Sequence, residues 1–195
     1  MADTYVIEPD LDFIKEVGAL GGEDLKKCYQ CATCSVACPI SPDTKPFPRK
    51  EMIAASWGLK DKLVGNADIW LCHNCGDCST RCPREAKPAD VLAAVRSYSI
   101  EDYAQPKVLA KAMKDPKKLP ILLAIPTVLF LVVGTITGLL DFTPDLSQGI
   151  KHWKFFSTWL VDIMMLSAAG FAAVVFALGL KRFLGDIHQN ALLEG

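Results

Sequence analysis

The chain has 195 residues, of which 51% are apolar and 22% charged, and its 21 basic and 22 acidic side chains give a net charge of -1. The apolar fraction excludes a disordered chain, and the balanced charge argues against a nucleic-acid-binding protein, which normally has a clustered basic surface. Only nine of the charged side chains lie in residues 119–195. This distribution predicts a polar head (residues 1–106), a basic linker (107–118) and a membrane domain (119–195).

The head contains a series of short helical patterns and little of the alternation typical of strands. Leu11–Val17 is the first candidate helix, and Arg49–Trp57 follows Pro48 and ends at Gly58. Leu59–Trp70 is a second short amphipathic stretch. Pro88 then opens a helix whose apolar positions lie on one side, at Val91, Leu92, Val95 and Tyr98. We therefore predict an all-α head.

All eight cysteines lie in two runs with the same spacing, C-x2-C-x2-C-x3-C-P, which is typical of two-cubane iron–sulfur domains. Three thiolates of one run can bind three corners of a cube, and the fourth, pushed onward and followed by proline, reaches the other cube. We therefore predict two [4Fe–4S] clusters with crossed ligands. One is expected to bind Cys28, Cys31, Cys34 and Cys82, and the other Cys72, Cys75, Cys78 and Cys38.

Disulfides, a zinc site and buried structural thiols are the alternatives. Residues 1–12 are polar and acidic and do not resemble a cleavable signal peptide, so we expect the head to stay in a reducing compartment, where structural disulfides are rare. Zinc sites usually combine two separate C-x2-C pairs. Buried structural thiols would not repeat one pattern twice with no cysteine left over. The repeated run therefore favours iron–sulfur clusters.

Two stretches of the tail are long enough to cross about 30 Å of hydrocarbon, one over 119–140 and one over about 155–180. Lysines precede the first span and Lys181 and Arg182 follow the second, whereas the intervening loop has only Lys151 and Lys154. By the positive-inside rule, we expect a multi-pass hairpin in the inner membrane with the clusters on the cytoplasmic side.

Asp162 is the one charged residue within the second span, and intramembrane carboxylates are costly and tend to be functional. It is a candidate for binding a quinone hydroxyl or relaying a proton; pairing with Lys154 or contact with interfacial water are the alternatives. His152 and His188 flank opposite ends of the same span, so they cannot ligate one haem together. Haem b would therefore need ligands from outside this chain.

The double cysteine run, Pro48-Arg49, and the segments Asn74-Cys75-Gly76 and Arg81-Cys82-Pro83 resemble the C subunit of heterodisulfide reductase. The fusion to a hydrophobic tail resembles, more specifically, the C subunit of the quinone-interacting membrane-bound oxidoreductase complex of sulfate-reducing microbes. That resemblance implies partner subunits carrying flavin and further clusters, and electron exchange between menaquinone and adenylylsulfate reductase. The tail departs from that family, whose members have more spans and haem ligands.

An electron-transfer subunit is a better interpretation than a self-contained enzyme. No G-x-G-x-x-G follows a predicted strand, so no dinucleotide site is visible. The two clusters use every cysteine, which leaves none for a catalytic cluster of the heterodisulfide type. A membrane scaffold with structural clusters, and a membrane-anchoring iron–sulfur subunit of another respiratory dehydrogenase or heterodisulfide reductase-like complex, are the alternatives.

Overall fold

The computed structural model describes residues 8–140, 155 and 157–194, and within these ranges the chain is helical with no strand. The all-α prediction is therefore confirmed. Wide and 3₁₀ turns over Gly18–Gly22 and Glu23–Lys27 follow the first helix. The helices are α1 Leu11–Val17, α2 Thr33–Ala37, α3 Arg49–Ser56, α4 Lys60–Val64, α5 Ala67–Leu71, α6 Asp77–Thr80, α7 Pro88–Tyr103, α8 Lys107–Lys114, α9 Leu119–Thr137 and α10 Thr158–Glu194.

The internal contacts of the chain define two units. The head unit combines residues 1–103 with residues 181–195, and the apolar unit comprises residues 104–180. The division at residues 106 and 118 that the sequence suggests stays a prediction.

Helix α7 forms the centre of the head core. Its buried face carries Val91, Leu92 and Val95, which are each 1% exposed or less, as the apolar spacing predicts for a buried stripe. The shorter helices contribute the remaining large side chains, and an edge-on aromatic pair with ring centroids 4.9 Å apart joins α1 to α7. These side chains include Phe13, Val17, Met52, Leu63 and Ile69.

Gly58 ends α3 in a backbone conformation that favours glycine. Its φ is +71°, its carbonyl accepts a hydrogen bond from the Asp10 amide at 3.0 Å, and a Cβ would lie 2.6 Å from the Asp10 carbonyl oxygen. The predicted end of the helix at this residue thus coincides with a close approach of two chain segments.

Replacing Gly58 with Ala is expected to lower the free energy of unfolding by about 2–4 kcal/mol, because left-handed strain of about 1–2 kcal/mol adds to a backbone clash. Denaturant unfolding of the anaerobically purified chain measures the loss. Gly18→Ala is the matched control, since Gly18 has φ -58° and an added Cβ would meet no atom of the described residues within 4 Å. It is expected to be neutral or to stabilise by about 0.5–1 kcal/mol. Equal effects of the two variants would contradict the argument.

The apolar unit contains α9 and the first part of α10. Two segments, 116–137 and 158–192, are long and apolar enough to cross a membrane, with mean hydropathy 2.5 and 2.3 and side chains that are nearly all exposed. Pro126 lies inside α9 without ending it, and Gly138, with φ +67°, caps it by donating to the Gly134 and Thr135 carbonyls. Length and composition alone therefore support membrane association.

Helix α10 continues well beyond the apolar stretch predicted for the second span. It runs from Thr158 to Glu194, through Lys181 and Arg182 and the polar residues that follow them. Lysine and arginine are good helix formers. The helix therefore continues through Lys181 and Arg182, where the hydropathy falls. The last part of α10 belongs to the head unit.

Candidate iron–sulfur site

The two cysteine runs fold as a near-repeat. Gln30 and Asn74, each two residues after the first cysteine of its run, have φ of +65° and +54°. Ala32 and Gly76, each directly after the second cysteine, have φ of +68° and +85°. Left-handed conformations are costly for residues with a Cβ, so their occurrence at matching positions identifies a turn that is built twice, once around each run.

A short helix follows each turn, and the two helices, α2 and α6, pack against each other. Cys34 and Cys78, the third cysteine of each run, are buried together at this contact with Ala89. The serine after each of these cysteines binds the start of a later helix. Ser35 Oγ accepts from the Arg49 amide at 3.3 Å, and Ser79 Oγ accepts from the Ala89 amide at 3.1 Å. Each run is thereby fixed to a helix of the core.

The fourth cysteine of the first run lies beside the first three of the second run. These thiols line one pocket, which the apolar side chains of Phe47, Pro48 and Leu92 help to close. His73, which directly follows the first cysteine of the second run, also lines this pocket. The four cysteines are Cys38, Cys72, Cys75 and Cys78.

The fourth cysteine of the second run lies on the side of the first run. The Tyr29 side chain interacts electrostatically with Cys31 and with Cys82, and the Arg84 guanidinium lies 6.0 Å from the Tyr29 ring centroid. Cys28 and Cys34 are close enough for their charges to interact. Cys38 thus lies with the second run, and Cys82 lies near Tyr29 of the first run.

The environments of the thiols differ in a way that matters for iron binding. Burial, followed by repulsion from Cys72, Cys34, Cys38 and Cys75, raises the pKa of Cys78 to about 11. Burial also raises the pKa of Cys34, whereas a hydrogen bond from Thr33 lowers the pKa of Cys31. Iron binds thiolates, so loading must displace protons from the buried thiols, and the positive charge of the iron compensates for their burial.

Several donors point at the sulfur atoms. Gln30 Nε2 donates to Cys28 Sγ, the Asn74 amide to Cys72 Sγ, and the Ala86 amide to Cys82 Sγ, each at 3.4 Å. Hydrogen bonds to cluster sulfurs stabilise the charged ligand and tune the reduction potential. Within the part of the chain that the structure describes, no three His, Cys, Asp or Glu side chains are arranged around a single metal ion. The thiols surround a pocket, and the donor set fits a cluster with a ligand at each corner.

Comparison with known proteins agrees with this geometry. Residues 24–86 match the family model of the 4Fe-4S dicluster domain. The matched segment contains all eight cysteines. The match supports [4Fe–4S] clusters in the head, as the cysteine spacing predicts.

Two curated relatives are similar over part of their length. Both are the C subunit of an H(2):CoB-CoM heterodisulfide,ferredoxin reductase, one from Methanothermobacter thermautotrophicus and one from Methanothermobacter marburgensis. Each is 36% identical over 88 residues, which are 45% of this chain and 48% of the relative. The chain thus spans about half the length of the curated relatives it matches. Over this length the head is similar to the heterodisulfide reductase C subunit, which supports the broader of the two resemblances.

Arg96 holds the second run in place, a role that the sequence pattern does not predict. Arg96 Nη2, on α7, donates to the Ile69 carbonyl at 2.8 Å and to the Cys72 carbonyl at 2.7 Å. It thereby fixes the chain where it enters the run. An arginine in an otherwise apolar helical pattern was the available signal, but its partners are 24 and 27 residues away in sequence.

The remaining candidates from the sequence are Asp162, in the predicted second span, and the two histidines that flank this span. Asp162 lies on α10 in the apolar unit with its side chain exposed. Lys154, its proposed partner, and His152 lie outside the described residues. His188 is exposed in the head unit.

Proposed function

We propose that this chain is a membrane-anchored subunit that conducts electrons between menaquinone and flavin- and iron–sulfur-containing partner subunits. The observation that carries the proposal is the pocket at which Cys38 joins three cysteines of the other run. Crossed ligands hold two clusters close together, and two neighbouring one-electron centres make a conducting pair.

For this function we propose the crossed ligands that the cysteine spacing predicts. When bound, the clusters supply reversible one-electron transfer. The chain positions them through the contact between α2 and α6 and through the serine bonds to α3 and α7. Arg96 holds the start of the second run, and the apolar side chains of Phe47 and Leu92 limit access of water to its pocket. One cluster binds Cys28, Cys31, Cys34 and Cys82, and the other Cys72, Cys75, Cys78 and Cys38.

The connectivity of the chain supports the membrane arrangement. The apolar unit leaves the head unit after Tyr103, and the chain rejoins the head unit at Lys181. A chain that leaves and rejoins one domain through two apolar helices forms a hairpin when those helices cross a membrane. The cations before the first span and after the second favour the cytoplasmic side of the inner membrane for the head.

The proposed partners follow from the relatives and the resemblance. The curated relatives are C subunits of an H(2):CoB-CoM heterodisulfide,ferredoxin reductase. For this chain, the hydrophobic tail favours menaquinone as the donor or acceptor at the membrane. We propose adenylylsulfate reductase, acting in sulfate respiration, as the soluble electron-transfer partner. Catalysis on a substrate is assigned to partner subunits.

The experiment uses detergent-solubilised membranes that contain the complete complex. Wild type is expected to carry about eight irons and eight labile sulfides in this chain, and its clusters should be reduced by a menaquinol analogue. Asp162→Asn should slow that reduction about tenfold or more while iron content stays unchanged, because proton transfer by a positioned group contributes at least that much.

Asp115→Asn is the matched control, because the Asp115 side chain caps the Lys117 amide at 3.0 Å outside the span and Asn caps equally well. It should reduce at the wild-type rate. Full iron content with no reduction by quinol would reject the quinone link, whereas zinc or a single cluster would reject the conducting pair itself. Unchanged reduction in Asp162→Asn would reject its proton role.

A further inference from the structure

The two runs differ at a position where the side chain contacts the sulfur of the second cysteine in both. That position is two residues after this cysteine and begins the short helix that follows. In the first run it is Thr33, whose Oγ1 lies 3.3 Å from Cys31 Sγ. In the second run it is Asp77, whose Oδ2 lies 3.7 Å from Cys75 Sγ. A neutral donor thus occupies one half of the near-repeat and a carboxylate the equivalent place in the other.

We propose that Asp77 makes the cluster of the second run the lower-potential one, so that a single electron on the head resides on the cluster of the first run. The inference rests on the proposed function, because it requires both clusters. It assigns a direction within the pair: electrons pass spontaneously from the second-run cluster to the first-run cluster. Each transfer oxidises the former and reduces the latter by one electron, with no bond made or broken.

The physical reason is the sign of the charge beside each ligand. The thiol of Cys75 can donate to Asp77, but a cluster-bound thiolate has no proton, so the carboxylate and the sulfur then repel each other. Reduction adds a further negative charge to the cluster, which the fixed carboxylate makes less favourable. The Thr33 hydroxyl can instead donate to the Cys31 thiolate, which favours the reduced form.

The surroundings of the first run act in the same direction. Tyr29 interacts with Cys31, and the Arg84 guanidinium lies over the Tyr29 ring at 6.0 Å from its centroid. Near the second run, the Arg96 cation acts in the opposite direction, but its donors are directed at two backbone carbonyls rather than at a sulfur. Asp77 contacts a ligand sulfur directly, and charge effects weaken with distance. The difference between Asp77 and Thr33 therefore sets the order of the two potentials.

A redox titration of the anaerobically purified full chain, followed by electron paramagnetic resonance, tests the proposal. Wild type should show two steps. Asp77→Asn removes the charge with little change in shape and should raise the lower potential by about 59 mV, a tenfold change in the ratio of reduced to oxidised cluster. Thr33→Asp is the matched variant and should lower the higher potential by a similar amount. In each variant the potential of one cluster is expected to shift while that of the other stays. A purely structural role of Asp77 or Thr33 would not produce such a selective shift.

Iron and sulfide analysis separates the two possible failures. About eight irons together with equal potentials, or an Asp77→Asn variant that shifts neither step or shifts the higher one, would overturn the inference and leave the proposed function standing. Fewer clusters in wild type would reject the proposed function itself. If Asp77→Asn loses iron, Asp77→Thr, which copies the first run, must raise the lower potential or the inference is wrong.

Discussion

Replacing Cys82 with Ala is expected to destroy the cluster of the first run while the cluster of the second run survives. Cys82 belongs by sequence to the second run, yet Tyr29 of the first run interacts with it. In crossed ligation it is the fourth ligand for Cys28, Cys31 and Cys34, and a cubane deprived of one thiolate is lost or reduced to a three-iron form. Bound iron should fall from about eight per chain to between about four and seven.

Cys38→Ala is the matched control and should give the reciprocal result. Cys38 lines the pocket of Cys72, Cys75 and Cys78, so its removal should affect the second-run cluster and spare the first. Iron analysis shows how much of the iron each cysteine variant loses. Electron paramagnetic resonance shows which cluster survives, because adding Asp77→Asn to either variant should shift the potential of the second-run cluster only. Should each variant lose the cluster of its own run, ligation is uncrossed and the assignment is wrong.

The cysteine spacing predicts far more of this molecule than its overall composition does. A fixed spacing constrains both the chemistry of the ligands and the turns that carry them, so [4Fe–4S] binding follows from local sequence. Helix boundaries were predicted equally well where a residue acts locally, as Pro48, Gly58 and Pro88 do. These are all effects of residues on their immediate neighbours.

Residues 59–70 were predicted as one amphipathic stretch, although local signals divide them. It contains two helices, α4 and α5, because Gly65 ends the first and the Asn66 side chain caps the second by accepting from the Asp68 amide at 2.9 Å. An Asn before an acidic first turn is a recognisable start signal. The apolar spacing on both sides concealed it.

Other features could not be predicted because they depend on distant contacts. Hydropathy ends near residue 180, but α10 continues and contributes Arg182, whose guanidinium binds Asp102 at 3.1 Å. Tyr103 similarly donates to Asp186 at 2.9 Å. Each pair is separated by about 80 residues in sequence, so neither leaves a periodic pattern. Burial of a single charged residue in a short helix is equally invisible, and Glu51 is the clearest case.

Glu51 is a buried carboxylate in the first turn of α3. It is 1% exposed, and neither oxygen has a hydrogen-bond partner within the described residues. Lys50 Nζ lies 3.6 Å from Oε1 but is held at 2.5 Å by Asp68. Burial raises the pKa of Glu51 to about 7; Lys50 opposes this shift and Asp68 adds to it. The folded chain therefore retains a proton on Glu51 at a pH where the unfolded chain has lost it.

This shift makes the free energy of unfolding decrease as pH rises. Between the unfolded pKa of 4.5 and about 7, the unfolded state binds fewer protons than the folded state, so stability falls with pH and levels off above 7. From pH 6 to pH 8 the loss should be about 1 kcal/mol. Glu51→Gln should remove this slope and be more stable than wild type by about 2–3 kcal/mol at pH 8.

Anaerobic denaturant unfolding at pH 6, 7 and 8 measures both effects, and exposed Glu16 provides the matched control. Glu16→Gln makes the same chemical change and should follow the wild-type pH dependence. A Glu51→Gln variant that keeps the wild-type slope would show that another group titrates. A variant less stable than wild type at pH 8 would show that the ionised carboxylate has a favourable partner in the folded chain. The expected gain instead identifies Glu51 as a charge that the head buries at a cost, within the helix that positions the first cysteine run through Ser35.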